Sequence, residues 1–63
     1  MLSSERQAFI AEYINSRGAV GVDEIATKFG VSRMTVRRDL KALEDSGMIV
    51  RVRGGAMLRS GVT

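Results

Sequence analysis

Residues 31–47 read VSRMTVRRDLKALEDSG, and the organisation of the chain follows from this stretch. Val36, Leu40 and Leu43 fall within one narrow sector at about 100° per residue, which makes the segment an amphipathic helix with those three side chains facing a core. Ser32 is its candidate N-cap and Gly47 its stop. The charges run against the helix dipole: Arg33, Arg37 and Arg38 come first, Glu44 and Asp45 last. The first turn of a helix carries partial positive charge and the last turn partial negative, each worth roughly 0.3 to 1 kcal/mol to a complementary side chain. Arg33 and Arg37 also stand four residues apart on one face, a like-charge spacing that costs a further ~0.2 to 0.5 kcal/mol. Local rules broken at both ends of one helix mark a site. The missing partner is a polyanion that meets the first half of the helix and avoids its acidic end, as the phosphates of DNA would.

Upstream, Ser4 and Gln7 have the spacing of a capping box and open a first helix over about Glu5 to Arg17, closed by Gly18. Phe9, Ile10, Tyr13 and Ile14 recur on one stripe and read as core, as do Ile25 and Phe29. Ala19 to Val22 is short and glycine-interrupted, a single extended bridge. Asp23 and Glu24 then bring acid to the start of a second helix, DEIATKF, which stops at Gly30. Downstream, Met48 to Arg53 reads as a strand in which Val50 and Val52 alternate with Arg51 and Arg53 in the period of a half-buried ladder. Gly54-Gly55 is the expected two-residue hairpin turn. Ala56 to Arg59 returns as a second strand, and residues 60–63 are a linker stub.

A chain of 63 residues forms one domain at most and buries only about 60% of the surface its unfolded form exposes. With 44% hydrophobic and 27% charged residues it lies within the globular range. It has no Cys and no His, so disulfides, thiolate chemistry, imidazole bases and Cys/His zinc sites are excluded. No apolar run reaches the roughly 18 residues of a membrane span, and MLSSERQ lacks a signal-peptide layout, so a soluble cytoplasmic protein is expected. Net charge is +3, unevenly placed. Up to residue 30, Arg6, Arg17 and Lys28 face Glu5, Glu12, Asp23 and Glu24. From residue 31, Arg33, Arg37, Arg38, Lys41, Arg51, Arg53 and Arg59 face only Asp39, Glu44 and Asp45. A basic half of this kind suits a nucleic-acid surface.

Two short helices joined by a glycine turn, the second carrying cations, describe a helix-turn-helix, and the hairpin after it is a wing. The fold class expected is mainly α with a small β component, a winged helix-turn-helix of three helices plus a β-hairpin. Opposite the core sector lie Met34, Arg38 and Lys41, flanked by Thr35 and Arg37. Arginine can take guanine O6 and N7 bidentately, Thr a base or phosphate, and Met34 a thymine methyl. Which arginine reads a base stays open. Arg51 and Arg53 on the wing suit phosphate, and the Gly54-Gly55 tip suits close approach to a backbone. Asp39, beside the core sector, suits a pairing with a basic residue of the domain itself. Gly54-Gly55 lacks the surroundings of a nucleotide-binding loop, and no cofactor is expected.

Arg6, Ile10 and Ile14 at spacings of four, then seventeen residues, Ser32, two residues and Thr35-Val36-Arg37-Arg38-Asp39-Leu40 together resemble the signature of the DeoR family of bacterial transcriptional regulators. Leu43-Glu44, Gly47, Arg51 and Gly54-Gly55-Ala56 are similar to that family's wing segment, where the position of Arg53 is more often His or Tyr. The resemblance implies a winged helix-turn-helix over residues 1–59 in a transcriptional regulator that binds double-stranded DNA, and the contact residues expected from the helix face and the wing are Ser32, Arg33, Met34, Thr35, Arg37, Arg38, Lys41, Arg51, Arg53, Gly54 and Gly55. It also implies repression of sugar, polyol or nucleoside operons. Residues 60–63 would lead to a C-terminal effector domain through which alone a sugar-phosphate inducer acts. The fragment is expected to be monomeric and the intact regulator homo-oligomeric.

Two other function classes compete. A winged helix can serve as a protein-interaction module, which steep salt dependence of nucleic-acid binding would exclude. An enzyme has little support, because no paired acid–base constellation stands out.

Overall fold

The computed structural model describes residues 2–58. Its elements are α1 (Ser3–Arg17), β1 (Ala19–Gly21), α2 (Val22–Phe29), α3 (Arg33–Asp45), β2 (Ile49–Val52) and β3 (Gly55–Leu58). Three helices and a three-stranded antiparallel sheet in the order β1-β3-β2 make a winged helix-turn-helix. The end of the second expected strand at Arg59, and the linker stub 60–63, lie outside the described residues.

Helix α1 starts earlier than its sequence suggests. Its N-cap is Leu2, whose backbone N–H donates to the Glu5 carboxylate at 3.2 Å. The Ser4–Gln7 capping box does not form, because the Gln7 amide turns inward to Asp39 instead. Ile10 and Ile14 of α1, Ile25 of α2 and Val36 and Leu40 of α3 are sealed from solvent, and Ile49 and Ala56 of the sheet close the core from the other side. Phe9 departs from its expected place in the core. It is half exposed, since Ile10, Ala11 and Ile14 already occupy the inward arc of α1. Gly30 ends α2 at φ 67°, and the backbone N–H of Val31 reaches back to the Ala26 carbonyl, which sets up the turn into α3.

The expected bridge at 19–22 is strand β1, three residues paired to β3. The hairpin turn is displaced by one residue from Gly54-Gly55: Val52 pairs with Gly55, so Arg53-Gly54 is the two-residue loop and Gly54 supplies its positive φ of 77°. Gly55 belongs to the sheet. The alternation expected in β2 is present, and the structure shows which set faces inward. Ile49 is buried and Arg51 half-buried toward the helices, while Val50 and Val52 are exposed on the outer face beside Met57. Alternation sets which residues share a face, and Ile49, one position upstream, takes the core for its own set.

Tyr13 ties α1 to α2: its hydroxyl donates to Glu24 Oε2 at 2.6 Å, and its ring meets Phe29 edge-on at 6.0 Å. The hydrogen bond to the Glu24 carboxylate, helped by burial, raises the Tyr13 pKa above the ordinary 10.0. A raised folded-state value means that this tie is intact below the unfolded pKa and is lost as pH climbs through the folded one. The chain has a single Tyr, so tyrosinate absorbance reads it directly. The titration midpoint is expected above that of the unfolded chain and is expected to fall in Glu24→Gln; equal midpoints in the two proteins would refute the tie.

Candidate nucleic-acid interface

The interface grows from the α3 N-terminus. Ser32 Oγ accepts the Thr35 backbone N–H at 3.1 Å and donates its own proton to Thr35 Oγ1 at 3.1 Å. The cap starts the helix and leaves the Thr35 hydroxyl with its proton available to an outside acceptor. No acidic side chain lies in the first turn of α3 and no basic one in the last, as its sequence order requires.

Val36, Asp39, Leu40 and Leu43 point inward, so Arg33, Met34, Arg37, Arg38 and Lys41 are on the outer side, all exposed. Met34 is 66% exposed, a large apolar side chain held in solvent amid cations. Among the described residues neither Arg37 nor Arg38 has an ion-pair partner. The other two cations do. Lys41 Nζ lies 3.7 Å from Asp45 one turn on, and Arg33 Nε lies 2.6 Å from Asp23 Oδ1 across the helix-turn-helix. The arginine-led end of α3 is therefore compensated at Arg33 and uncompensated at Arg37 and Arg38.

Asp39 plays the internal part expected of it. The residue is 2% exposed, and its carboxylate takes a two-point contact from the Arg6 guanidinium, Nε to Oδ2 and Nη2 to Oδ1, plus the Gln7 amide at 3.2 Å. Both carboxylate oxygens of Asp39 are engaged within the fold, and no buried side-chain polar atom among the described residues lacks a partner.

The wing is fixed to the helices. The Val22 N–H, the first of α2, donates to the Gly54 carbonyl at 3.0 Å. Arg51 donates from Nε to the Gly55 carbonyl at 3.2 Å, bracing its side chain across the hairpin. Arg53 and Gly54 form the exposed tip. Gly55 is buried against β1, and a Cβ on it would meet the Val20 carbonyl oxygen at 2.1 Å. Its missing side chain serves the close approach of two strands.

These elements enclose a cleft of about 320 Å³ lined by Val22, Asp23, Arg33, Arg37, Arg51 and Gly54. Three arginines from α3 and the wing thus line one cleft with a single carboxylate residue, and of the three only Arg33 is paired with it. Asp23 was not legible as part of this site, since its position in the first turn of α2 gives it an ordinary dipole role. No helix among the described residues is long and apolar enough to cross a membrane.

Residues 6–61 match the family model described as the DeoR-like helix-turn-helix domain. The chain is 46% identical over 56 residues to the lactose phosphotransferase system repressor of Streptococcus mutans, covering 89% of this chain and 22% of that protein. It is 42% identical over 55 residues to an uncharacterised HTH-type transcriptional regulator of Escherichia coli, covering 87% and 22%. It is also 42% identical over 60 residues to the lactose phosphotransferase system repressor of Staphylococcus aureus, covering 95% and 24%. The chain spans less than a quarter of the length of these curated relatives. No solved structure gives a significant match.

Proposed function

Since the chain belongs to the DeoR-like helix-turn-helix family, whose domain binds DNA, we propose that it seats the first half of α3 in the major groove of a duplex operator and lays the wing on the flanking backbone. The observation that carries this is the pair Arg37 and Arg38, exposed on the outer side of α3 and without a carboxylate partner among the described residues. An unpaired guanidinium at the start of a groove-entering helix is suited to guanine O6 and N7 or to a phosphate. Met34 offers a thymine methyl an apolar contact, and the Thr35 hydroxyl a base or backbone acceptor. Arg51 and Arg53 add phosphate contacts that bring affinity and salt dependence without reading sequence.

The whole regulator would be a cytoplasmic repressor of sugar, polyol or nucleoside metabolism. Repression of sugar transport genes is supported by the names of the Streptococcus and Staphylococcus relatives. A sugar-phosphate inducer would act through a domain beyond these residues, and the intact protein would bind as a homo-oligomer on paired half-sites. The domain itself is no enzyme on this view and is monomeric when isolated.

Selection from random duplexes gives the site, and a titration then compares wild type with Arg37→Ala and Arg38→Ala. A side chain on a base edge is expected to cost about 1 to 3 kcal/mol and to relax preference at one position, and one on phosphate to weaken all sequences alike. Affinity unchanged in both folded variants would refute the docking. The competing protein-interaction module, for which the exposed Val50, Val52 and Met57 face gives some support, requires nucleic-acid affinity that is flat with salt.

A further inference from the structure

We propose that Asp23 occupies on Arg33 the position a DNA phosphate takes in the complex, acting as a built-in competitor that holds down affinity for DNA of arbitrary sequence; this rests on the DNA-binding reading above. Asp23 Oδ1 lies 2.6 Å from Arg33 Nε, an ion pair in direct contact. Both side chains are exposed, 74% and 67%, so water and salt screen the pair and it exchanges partners readily.

The surroundings select an anion at this point. Arg33, Arg37 and Arg51 line the cleft with Asp23, and the first turn of α2 adds its own partial positive charge. Of the two acids in that turn, Glu24 faces away, bonded to Tyr13 and Arg17, so Asp23 alone faces the arginines. A phosphate presents the same kind of oxygen acceptors to a guanidinium as a carboxylate does. When the backbone of a duplex enters, Arg33 exchanges one oxyanion for another and gains little. The displaced carboxylate is left beside the phosphates, where it repels them. Phosphate-driven binding therefore proceeds with the equivalent of about one cation fewer than the arginine count of the cleft suggests.

The test is a fluorescence-anisotropy titration of a labelled duplex of arbitrary sequence at several salt concentrations, with wild type, Asp23→Asn, Glu12→Gln and Asp23→Asn/Arg33→Ala. Asp23 is exposed and does not cap α2, whose N-cap is Gly21, so Asp23→Asn is expected to stay folded, which circular dichroism checks. It is expected to bind about five- to tenfold tighter at low salt, with log K falling against log salt more steeply by about 0.9, the increment for one more neutralised phosphate. Glu12→Gln makes the same change in net charge on exposed α1 and is expected to shift affinity less than twofold. Removing Arg33 as well is expected to return affinity to about the wild-type level. No gain in Asp23→Asn, a gain matched by Glu12→Gln, or a gain that survives the loss of Arg33 would overturn the proposal while leaving DNA binding intact. Wild-type affinity that is absent or flat with salt would overturn both.

Discussion

Gly55→Ala is expected to lower the thermal midpoint by about 12 °C or more. The added methyl would stand 2.1 Å from the Val20 carbonyl oxygen and 2.9 Å from the Gly21 Cα, both backbone atoms of β1 that no rotamer change can move aside. Relief requires β1 and β3 to part at the Gly21–Gly55 pair, which is the strand junction from which α2 departs. Overpacking in a tight interior costs about 1 to 3 kcal/mol, and a backbone collision belongs at the upper end. A domain of this size has only ~3 to 9 kcal/mol in all, and each kcal/mol shifts the midpoint by about 4 to 8 °C. Gly54→Ala supplies the contrast in the same melting experiment. Its Cβ meets nothing within 4 Å, and only the left-handed φ of 77° opposes it, so a loss of about 1 to 2 kcal/mol is expected. Equal losses at the two glycines would mean that β1 and β3 yield to the methyl and that their close approach does not constrain Gly55.

The second large effect is expected at the buried ion pair. Asp39→Ala removes a carboxylate that is 2% exposed and engages two side chains of α1, leaving the Arg6 guanidinium and the Gln7 amide partly buried without their acceptor. Breaking one side of a buried pair costs about 3 to 5 kcal/mol, whereas replacing both partners by apolar groups is often close to neutral. Chemical denaturation should therefore show Asp39→Ala near or past the limit of stability. Arg6→Met/Asp39→Leu should be more stable than Arg6→Met alone, because the single variant strands a buried charge. A double variant less stable than either single one would show that the pair is a net source of stability. Asp39 lies on the inner side of α3, and Arg6 and Gln7 on the α1 surface it meets, so the contact sets how α3 is presented. DNA affinity should decline with the fold in these variants.

The helices were legible because apolar spacing and glycine stops mark each of them, although the expected cap formed only at α3: Val36, Leu40 and Leu43 are buried as their spacing requires, and Ser32 caps α3, while α1 begins at Leu2 without the Ser4–Gln7 box. Asp39 was legible as an internal partner from its place beside the core sector, although nothing local could identify Arg6, thirty-three residues away. The sheet was harder to read. Three residues of β1 carry too little pattern to reveal that they pair with β3, and that pairing is what takes Gly55 out of the turn. For β2, a period of two separates Val50 and Val52 from Arg51 but leaves open which set faces the helices, a choice settled by the burial of Ile49. Within the candidate site, exposure of Met34, Arg37, Arg38 and Lys41 follows from helix geometry. The Asp23–Arg33 pair does not, since it depends on the angle between α2 and α3.

The hydrogen bond from the Val22 amide to the Gly54 carbonyl also bears on how fast and how favourably a duplex can be taken up. A hairpin free of its neighbours would have to be immobilised at the moment of association, with a loss of conformational entropy subtracted from every contact it makes. Here the hairpin loop is anchored while the chain folds. In the docking we propose, an incoming duplex would meet a wing already held in place, and the encounter would not wait for a segment to find its position.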